Sequence, residues 1–427
     1  MVNKLLQIFK HPDTRKKVLV ILGLLVFFRL LAAIPLPGVD IEALKTLLSA
    51  NNLFGILNIF SGGAIGNLSI AMLGVGPYIT ATIIMQLLTM VFPRLKEAYY
   101  EEGAAGRAKF NRISRIITIP LAGLQTYALL TFLVSQNVIP SFGLLDLSFW
   151  INVLTAVAGS MILLWVGEII DEQKLGNGVS LIIFAGIVAG LPSYLVNAYY
   201  QISQGFMRWD ALLIFGILAL AVIAAVVFVN QGEHKIPVSY PKRIRGNRVY
   251  GGVESYLPIR VNQAGVIPII FAMAILSFPQ MLGQVLMSFA PQIGIGINET
   301  IVRLMNNQLV YGSFYFILVF AFTYFYTAAV FNPEEISKNL QRSGGFIPGI
   351  RPGDPTSKHL SSIVSKITLF GALFLGLIAI LPIATQAIVN QSFVIGGTAI
   401  LIVVSVALDS WNQIDSQLKM REYEIAE

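Results

Sequence analysis

The sequence contains no cysteine, which excludes disulfides and thiol chemistry. Charge is scarce as well: Asp, Glu, Lys and Arg make up 12% of the 427 residues, where a soluble domain carries about 25%. Histidine occurs only at His11, His234 and His359, all in polar segments. No HExxH helix is present, and no serine has a membrane-embedded histidine to pair with, so hydrolysis within a bilayer has neither ligands nor a base. A GxxxxGK[ST] loop is also missing. ATP binding by that route is excluded, and energy has to come from a partner or an ion gradient. These absences argue against an enzyme, a metal site or a bound cofactor.

What the chain does have is apolar sequence, at 56% hydrophobic residues and a mean hydropathy of +0.74. This composition predicts an all-α polytopic membrane protein. Apolar stretches fall near 18–36, 70–92, 116–136, 149–167, 180–200, 211–229, 263–286, 310–331, 367–387 and 393–411, giving ten spans. Basic residues test that count, because Lys and Arg collect on the cytoplasmic side. With an inside N-terminus, 25 of the 29 Lys and Arg are cytoplasmic. Lys45, Arg208 and Arg303 lie outside, and Arg29 lies in the membrane. Both termini are therefore expected in the cytoplasm, and the net charge of +7 mostly records orientation. The loop between spans four and five departs from the rule, with Glu168, Asp171 and Glu172 against Lys174 alone. No cleaved leader is expected, since the first apolar stretch has the length of a span and ends in PLPG. Ten spans divide into two groups of five, and an odd group size inverts the second half relative to the first. Residue-level similarity between the halves is too weak to carry this expectation, which rests on parity.

The longest uncharged run covers the 48 residues between Lys45 and Arg94. A bilayer core needs roughly 20 apolar residues as helix, so the run is too long for one span. SGG at 61–63, then Gly66 and Asn67, interrupt it. A continuous helix there costs about 1 kcal/mol per glycine. The run reads as a half-helix over 53–60, a break, and a full span over 70–92. Non-helical backbone at membrane depth survives only where it lines a cavity or is buried in protein. A cavity within a helix bundle is implied.

Arg29 stands about eleven residues into span one and admits two readings: a functional charge, or a structural arginine capping carbonyls near the break. GD at 353–354 matches part of a membrane aspartyl protease motif, but it lies in a polar loop without a second membrane aspartate. Glu168, Asp171 and Asp409 fall only at span ends, which counts against an ion-coupled carrier with midplane carboxylates. The broken helix keeps a secondary transporter with a 5 + 5 inverted fold as the alternative.

Two cytoplasmic connections, 231–262 and 332–366, are too long to be mere connectors. The first alternates apolar and polar residues near 236–240 and 256–261 around a basic turn holding Arg243, Arg245 and Arg248. This pattern predicts a protruding β-hairpin, either a solvated element or one that meets RNA or an acidic protein surface. The second contains GGFIPGIRPG at 344–353, whose glycines and prolines hold Arg351 at the tip of a tight turn. An arginine fixed in this way suits a partner's carboxylates, and a plain turn is the alternative.

AMLGVGPYITATIIMQLL at 71–88, LGNGVSLIIFAGI at 175–187, NQAGVIP at 262–268 and the GIRPG turn, in this order, resemble the signatures of the SecY family of bacterial protein-conducting channels. The resemblance covers essentially the whole chain. It implies two five-helix halves, 1–205 and 206–427, around a central hourglass pore that passes unfolded preproteins and releases signal sequences sideways into lipid. It further implies a re-entrant plug helix at about 53–64, carrying Leu53, Phe54, Ile56, Leu57, Ile59, Phe60, Ser61, Gly62 and Gly63. The waist ring matches Ile79, Ile83, Ile183, Ile270 and Ile402, and an apolar constriction of this kind resists wetting. The side exit it implies lies between spans two and seven, where Thr82, Gln86, Thr89 and Asn262 are polar groups on or beside those spans that could make the gate metastable, and Arg351 matches the docking arginine. The implied partners are SecE, SecG, the SecA ATPase, the ribosome, the preprotein with its signal peptide, and membrane lipids. The implied location is the bacterial plasma membrane.

Overall fold

The computed structural model describes residues 12–37, 61, 63–100, 103–135, 138–139, 146–205, 209–240, 243–245, 248–250, 254–389 and 397–426. The N-terminal half contributes α1 (Pro12–Ala33), α2 (Gly76–Val91), the short α3 (Pro93–Tyr100), α4 (Gly103–Ser135), α5 (Leu147–Glu172) and α6 (Gly178–Ser203). The C-terminal half opens with α7 (Trp209–Gln231), followed by strands β1 (Glu233–Ser239), β2 (Arg243–Arg245), β3 (Arg248–Tyr250) and β4 (Glu254–Arg260). It continues with α8 (Ile267–Phe289), α9 (Pro291–Asn306), α10 (Gln308–Val330), α11 (Pro333–Arg342), α12 (Asp354–Val389) and α13 (Gly397–Ala426).

Each of the ten expected spans coincides with a helix: α1, α2, α4, α5, α6, α7, α8, α10, α12 and α13. Five helical stretches among the described residues, 105–134, 147–172, 178–200, 308–342 and 354–383, are long and apolar enough to cross a membrane. Several helices begin where a side chain satisfies the free N–H groups of the first turn. Asn177 accepts from Ser180 N, Asn307 from Leu309 N and Val310 N, and Asn332 from Glu334 N and Glu335 N. Two expectations change. Span two does not run as a helix from 70; the chain turns through 63–75, with Leu68 and Gly74 at positive φ, and the helix starts only at Gly76. The loop 332–366 is also partly helical, because α11 fills its first third and α12 starts at Asp354, well before the apolar stretch begins.

Packing reveals the repeat that the sequence does not. In the N-terminal half the neighbours are α1 with α5, α1 with α6, α2 with α4, α4 with α5, and α5 with α6. Counting spans from α7, the same five pairs recur in the C-terminal half: α7 with α12, α7 with α13, α8 with α10, α10 with α12, and α12 with α13. The halves meet where α8 touches α2 and α4, and where α13 touches α6. One large apolar cluster fills the centre and draws on both halves.

The expected hairpin is present: β1 pairs antiparallel with β4, Ile236 opposite Leu257, and β2 pairs with β3, Arg245 opposite Arg248. It does not stand alone. Ser239 and Phe346 exchange backbone hydrogen bonds of 2.9 and 3.0 Å. Ile236, Ile259, Ile347, Leu360 and Val364 form a small buried core that ties the hairpin to the 343–353 turn and to the start of α12.

Candidate functional site

The segment that leads into α2 lies inside the protein. Ser61, Ala64, Ile65, Leu68, Ser69, Ala71 and Met72 are all buried, and a non-helical backbone there needs partners for its polar groups. Leu36 N donates to Leu68 O at 2.8 Å, and Ile70 N donates to Ile34 O at 3.0 Å, so the end of α1 pairs with this segment. Ser160 Oγ, from the middle of α5, donates to Gly74 O at 2.9 Å. Gly159 lets the two backbones close: a Cβ there would stand 2.1 Å from Ile70 O. The other half of the break, including Leu53, Phe54, Ile56, Leu57, Ile59, Phe60 and Gly62, lies outside the described residues. Gly63 has φ +80°, and a Cβ on it would lie 3.4 Å from Arg29 Nη1, which places the Arg29 guanidinium at the break.

The C-terminal half builds the entry to α8 in the same way. Gly74-Val75-Gly76-Pro77 and Gly265-Val266-Ile267-Pro268 share a glycine at positive φ, +57° and +61°. Each is followed by a valine N-cap, with φ and ψ of −94° and 5° at Val75 and −93° and −8° at Val266. The proline then sits in the first helical turn, where its missing N–H costs nothing. Four residues before the glycine, the carbonyl of Val261 approaches a glycine of α12: a Cβ on Gly371 would stand 2.9 Å from Val261 O. Gly371 is thus the counterpart of Gly159, and α12 the counterpart of α5. Only the polar partner differs. Ala372 occupies the place of Ser160, and Gly265 O instead accepts from Asn262 Nδ2 at 3.3 Å.

This repeat relates four of the five positions expected at the waist in pairs. Ile79 and Ile270 each stand two residues beyond the proline of their helix. Ile183 stands on α6 and Ile402 on α13, the fifth span helix of each half. These helices, α2, α8, α6 and α13, are among those along which the halves meet. Ile83, Ile183 and Ile402 belong to the central buried cluster, and Ile79 and Ile270 pack against it half-buried. Isoleucine side chains offer a polar chain no hydrogen bond to hold it.

The side-exit positions are less uniform. Thr82 Oγ1 donates to Tyr78 O at 2.7 Å and Thr89 Oγ1 to Gln86 O at 2.6 Å, so both hydroxyls are spent on their own helix. Gln86 Oε1 is buried with no hydrogen-bond partner among the described residues. Asn262 points into its own half: its Nδ2 donates to Asn230 Oδ1 on α7 at 2.8 Å, and Asn230 Nδ2 donates to Ser405 Oγ on α13 at 2.6 Å.

On the extramembrane face, Arg243, Arg245 and Arg248 lie in the outer β2–β3 pair of the hairpin. Arg351 is exposed, and its turn is pinned: Thr356 Oγ1 donates to Arg351 O at 2.9 Å, Ser337 Oγ to Gly353 O at 2.7 Å, and Gly349 and Gly353 take φ of +82° and +94°. The acidic loop between spans four and five is also tied down. Glu168 pairs with Arg115 on α4, Asp171 Oδ1 accepts from Gly178 N at 2.7 Å, and Gln417 Nε2 donates to Lys174 O at 2.6 Å. Gly159, Gly371 and Ser160 gave no signal in the sequence. The one trace of their roles is the repeated Gly-Val-x-Pro.

Comparison with known proteins agrees with this architecture. The SecY family model matches residues 69–411. The protein translocase subunit SecY of Streptomyces scabiei is 41% identical, with 99% of each chain covered, and that of Aquifex aeolicus is 40% identical, also with 99% of each covered. A solved protein-conducting channel superposes with a TM-score of 0.66 at 20% identity, over 93% of this chain and 91% of its own. Sec61 from a canine ribosome–channel complex superposes with a TM-score of 0.60, over 93% and 91%. These relatives are translocase subunits and channels, so neither an enzyme nor the secondary transporter is favoured. With a family match over most of its length and relatives at about 40% identity from end to end, this chain belongs to the SecY family of protein-conducting channels.

Proposed function

We propose that this chain is the pore-forming subunit of a protein translocase, conducting unfolded preproteins across a bacterial plasma membrane and releasing hydrophobic segments sideways into lipid. The observation that carries this reading is the meeting of the two repeated halves: Ile79, Ile83, Ile183, Ile270 and Ile402 all join one apolar cluster there. In this reading they form the waist, the segment around 53–64 plugs it, and α2 and α8 flank the side exit with Thr82, Gln86, Thr89 and Asn262. The division falls near 205–206. The basic loops orient both termini to the cytoplasm. The hairpin arginines and Arg351 then face the cytoplasm, where the SecA ATPase or a ribosome docks, and SecE and SecG complete the channel.

The test is reconstitution of the chain with its partner subunits and ATPase in proteoliposomes. An unfolded preprotein is expected to become protease-protected, and an arrested one to photocrosslink at positions 79, 183, 270 and 402. No protected preprotein, with the channel demonstrably assembled, overturns the reading. In the same assay Arg351→Glu is expected to reduce ATPase-driven transport at least about tenfold, as for a lost charge-paired contact. Unchanged transport removes Arg351 from the docking surface.

A further inference from the structure

We infer that Gly159 and Gly371 are positioning residues that set the two sides of the waist to the same height. The inference rests on the waist reading above and adds a cause for the ring's geometry.

In each half a carbonyl from the non-helical lead-in rests against a glycine of a long neighbouring helix. Ile70 O meets Gly159 of α5, and Val261 O meets Gly371 of α12. Both contacts are closer than any side chain permits: an added Cβ would lie 2.1 Å from the first oxygen and 2.9 Å from the second. Real Cβ–oxygen contacts do not reach such distances, and the obstacle is backbone, which cannot rotate away as a side chain can. Glycine in a membrane helix allows this approach, and a Cα–H can face the carbonyl oxygen.

From each seated carbonyl the chain runs the same course. Four residues on comes the positive-φ glycine, then the valine cap, the proline, and the isoleucine nine residues beyond the carbonyl. The segment in between is short, and the glycine and valine that end it take matching dihedrals in the two halves, so the position of the carbonyl fixes that of the isoleucine. Displacing Ile70 O from α5 shifts Ile79 along the pore axis relative to Ile270. Ile183 and Ile402 stand on α6 and α13, outside the segments that run from Ile70 and Val261, and neither glycine seats them.

The absence of cysteine makes the test clean, because introduced thiols are the only ones in this chain. Full-length chain in membranes with its partner subunits is prepared with Ile79→Cys/Ile270→Cys or with Ile183→Cys/Ile402→Cys. Each pair is combined with Gly159→Ala, with Gly371→Ala, or with Gly123→Ala as a control, a glycine of α4 whose Cβ would meet nothing within 4 Å. The expected result is that oxidative crosslinking of the 79/270 pair falls by more than half with Gly159→Ala and by less with Gly371→Ala. The 183/402 pair and the Gly123→Ala control should be unchanged. Equal crosslinking in every background overturns the inference, and so does an equal loss in both pairs, which marks general loosening. If Gly159→Ala does not accumulate, Gly371→Ala decides by the same criterion. Failure of both pairs to crosslink in the otherwise unsubstituted chain overturns the waist reading itself.

Discussion

The N-terminal and C-terminal halves share one wiring of neighbours and one way of starting their second helix, yet they satisfy the same carbonyl by different means. In the N-terminal half, Gly74 O is bonded by a hydroxyl from across the bundle, Ser160 on α5. In the C-terminal half, Gly265 O is bonded locally by Asn262, three residues away, and that amide also reaches Asn230 and through it Ser405. The first solution clamps the lead-in to a neighbouring helix with a single bond. The second builds the lead-in into a chain of three polar side chains linking the start of α8 to α7 and α13. A repeat therefore conserves the position of a polar group that has to be satisfied, and leaves open which side chain does so. The physical reason is that an unpaired buried carbonyl costs about 1–3 kcal/mol regardless of the residue that corrects it.

This contrast can be tested by substitution. The largest effect is expected from Asn262→Leu, which strips a donor from both Gly265 O and Asn230 Oδ1 and should cost about 2 kcal/mol. A lowered thermal midpoint of the purified channel would register it. Ser160→Ala removes one donor and is expected to cost about 1 kcal/mol, with a correspondingly smaller fall in the midpoint. If the two variants fall equally, the polar chain adds nothing to a single bond and the contrast fails. The smallest and sharpest effect is that of Ala372→Ser, which gives the C-terminal half the hydroxyl of the other half. Alone it should shift the midpoint little; combined with Asn262→Leu it should recover part of the loss by donating to Gly265 O. No recovery would mean that Ala372 and Ser160 are not equivalent positions.

Much of the fold was legible because the bilayer imposes a simple rule on sequence. Ten apolar stretches matched ten helices, and the hairpin followed from alternation between Ile236 and Val261. The break near Gly63 was also legible, since glycines in an apolar run are costly in a helix. Its extent was not. The helix begins at Gly76 rather than near residue 70, because the lead-in accepts hydrogen bonds from Leu36 and Ser160 and donates one to the carbonyl of Ile34, all distant in sequence. The isoleucines proposed for the waist were reached only by resemblance, because an isoleucine in an apolar helix has the same chemistry whether it packs against a neighbour or faces a pore.

By itself the sequence determined the membrane class, the number of spans, the polar face that carries the basic loops, and the site of the break. Each follows from the cost of putting charge, or unpaired backbone, into hydrocarbon, which any single segment already records. Tertiary structure alone decided that Gly159 and Gly371 answer to each other, that Ser160 and Asn262 solve one problem, and that the helices of Ile79 and Ile270, like those of Ile183 and Ile402, are counterparts. Such roles depend on which carbonyl or helix comes to lie opposite a residue. A glycine in an apolar helix is spelled the same way whether it faces lipid or the backbone of its neighbour, and only packing distinguishes the two.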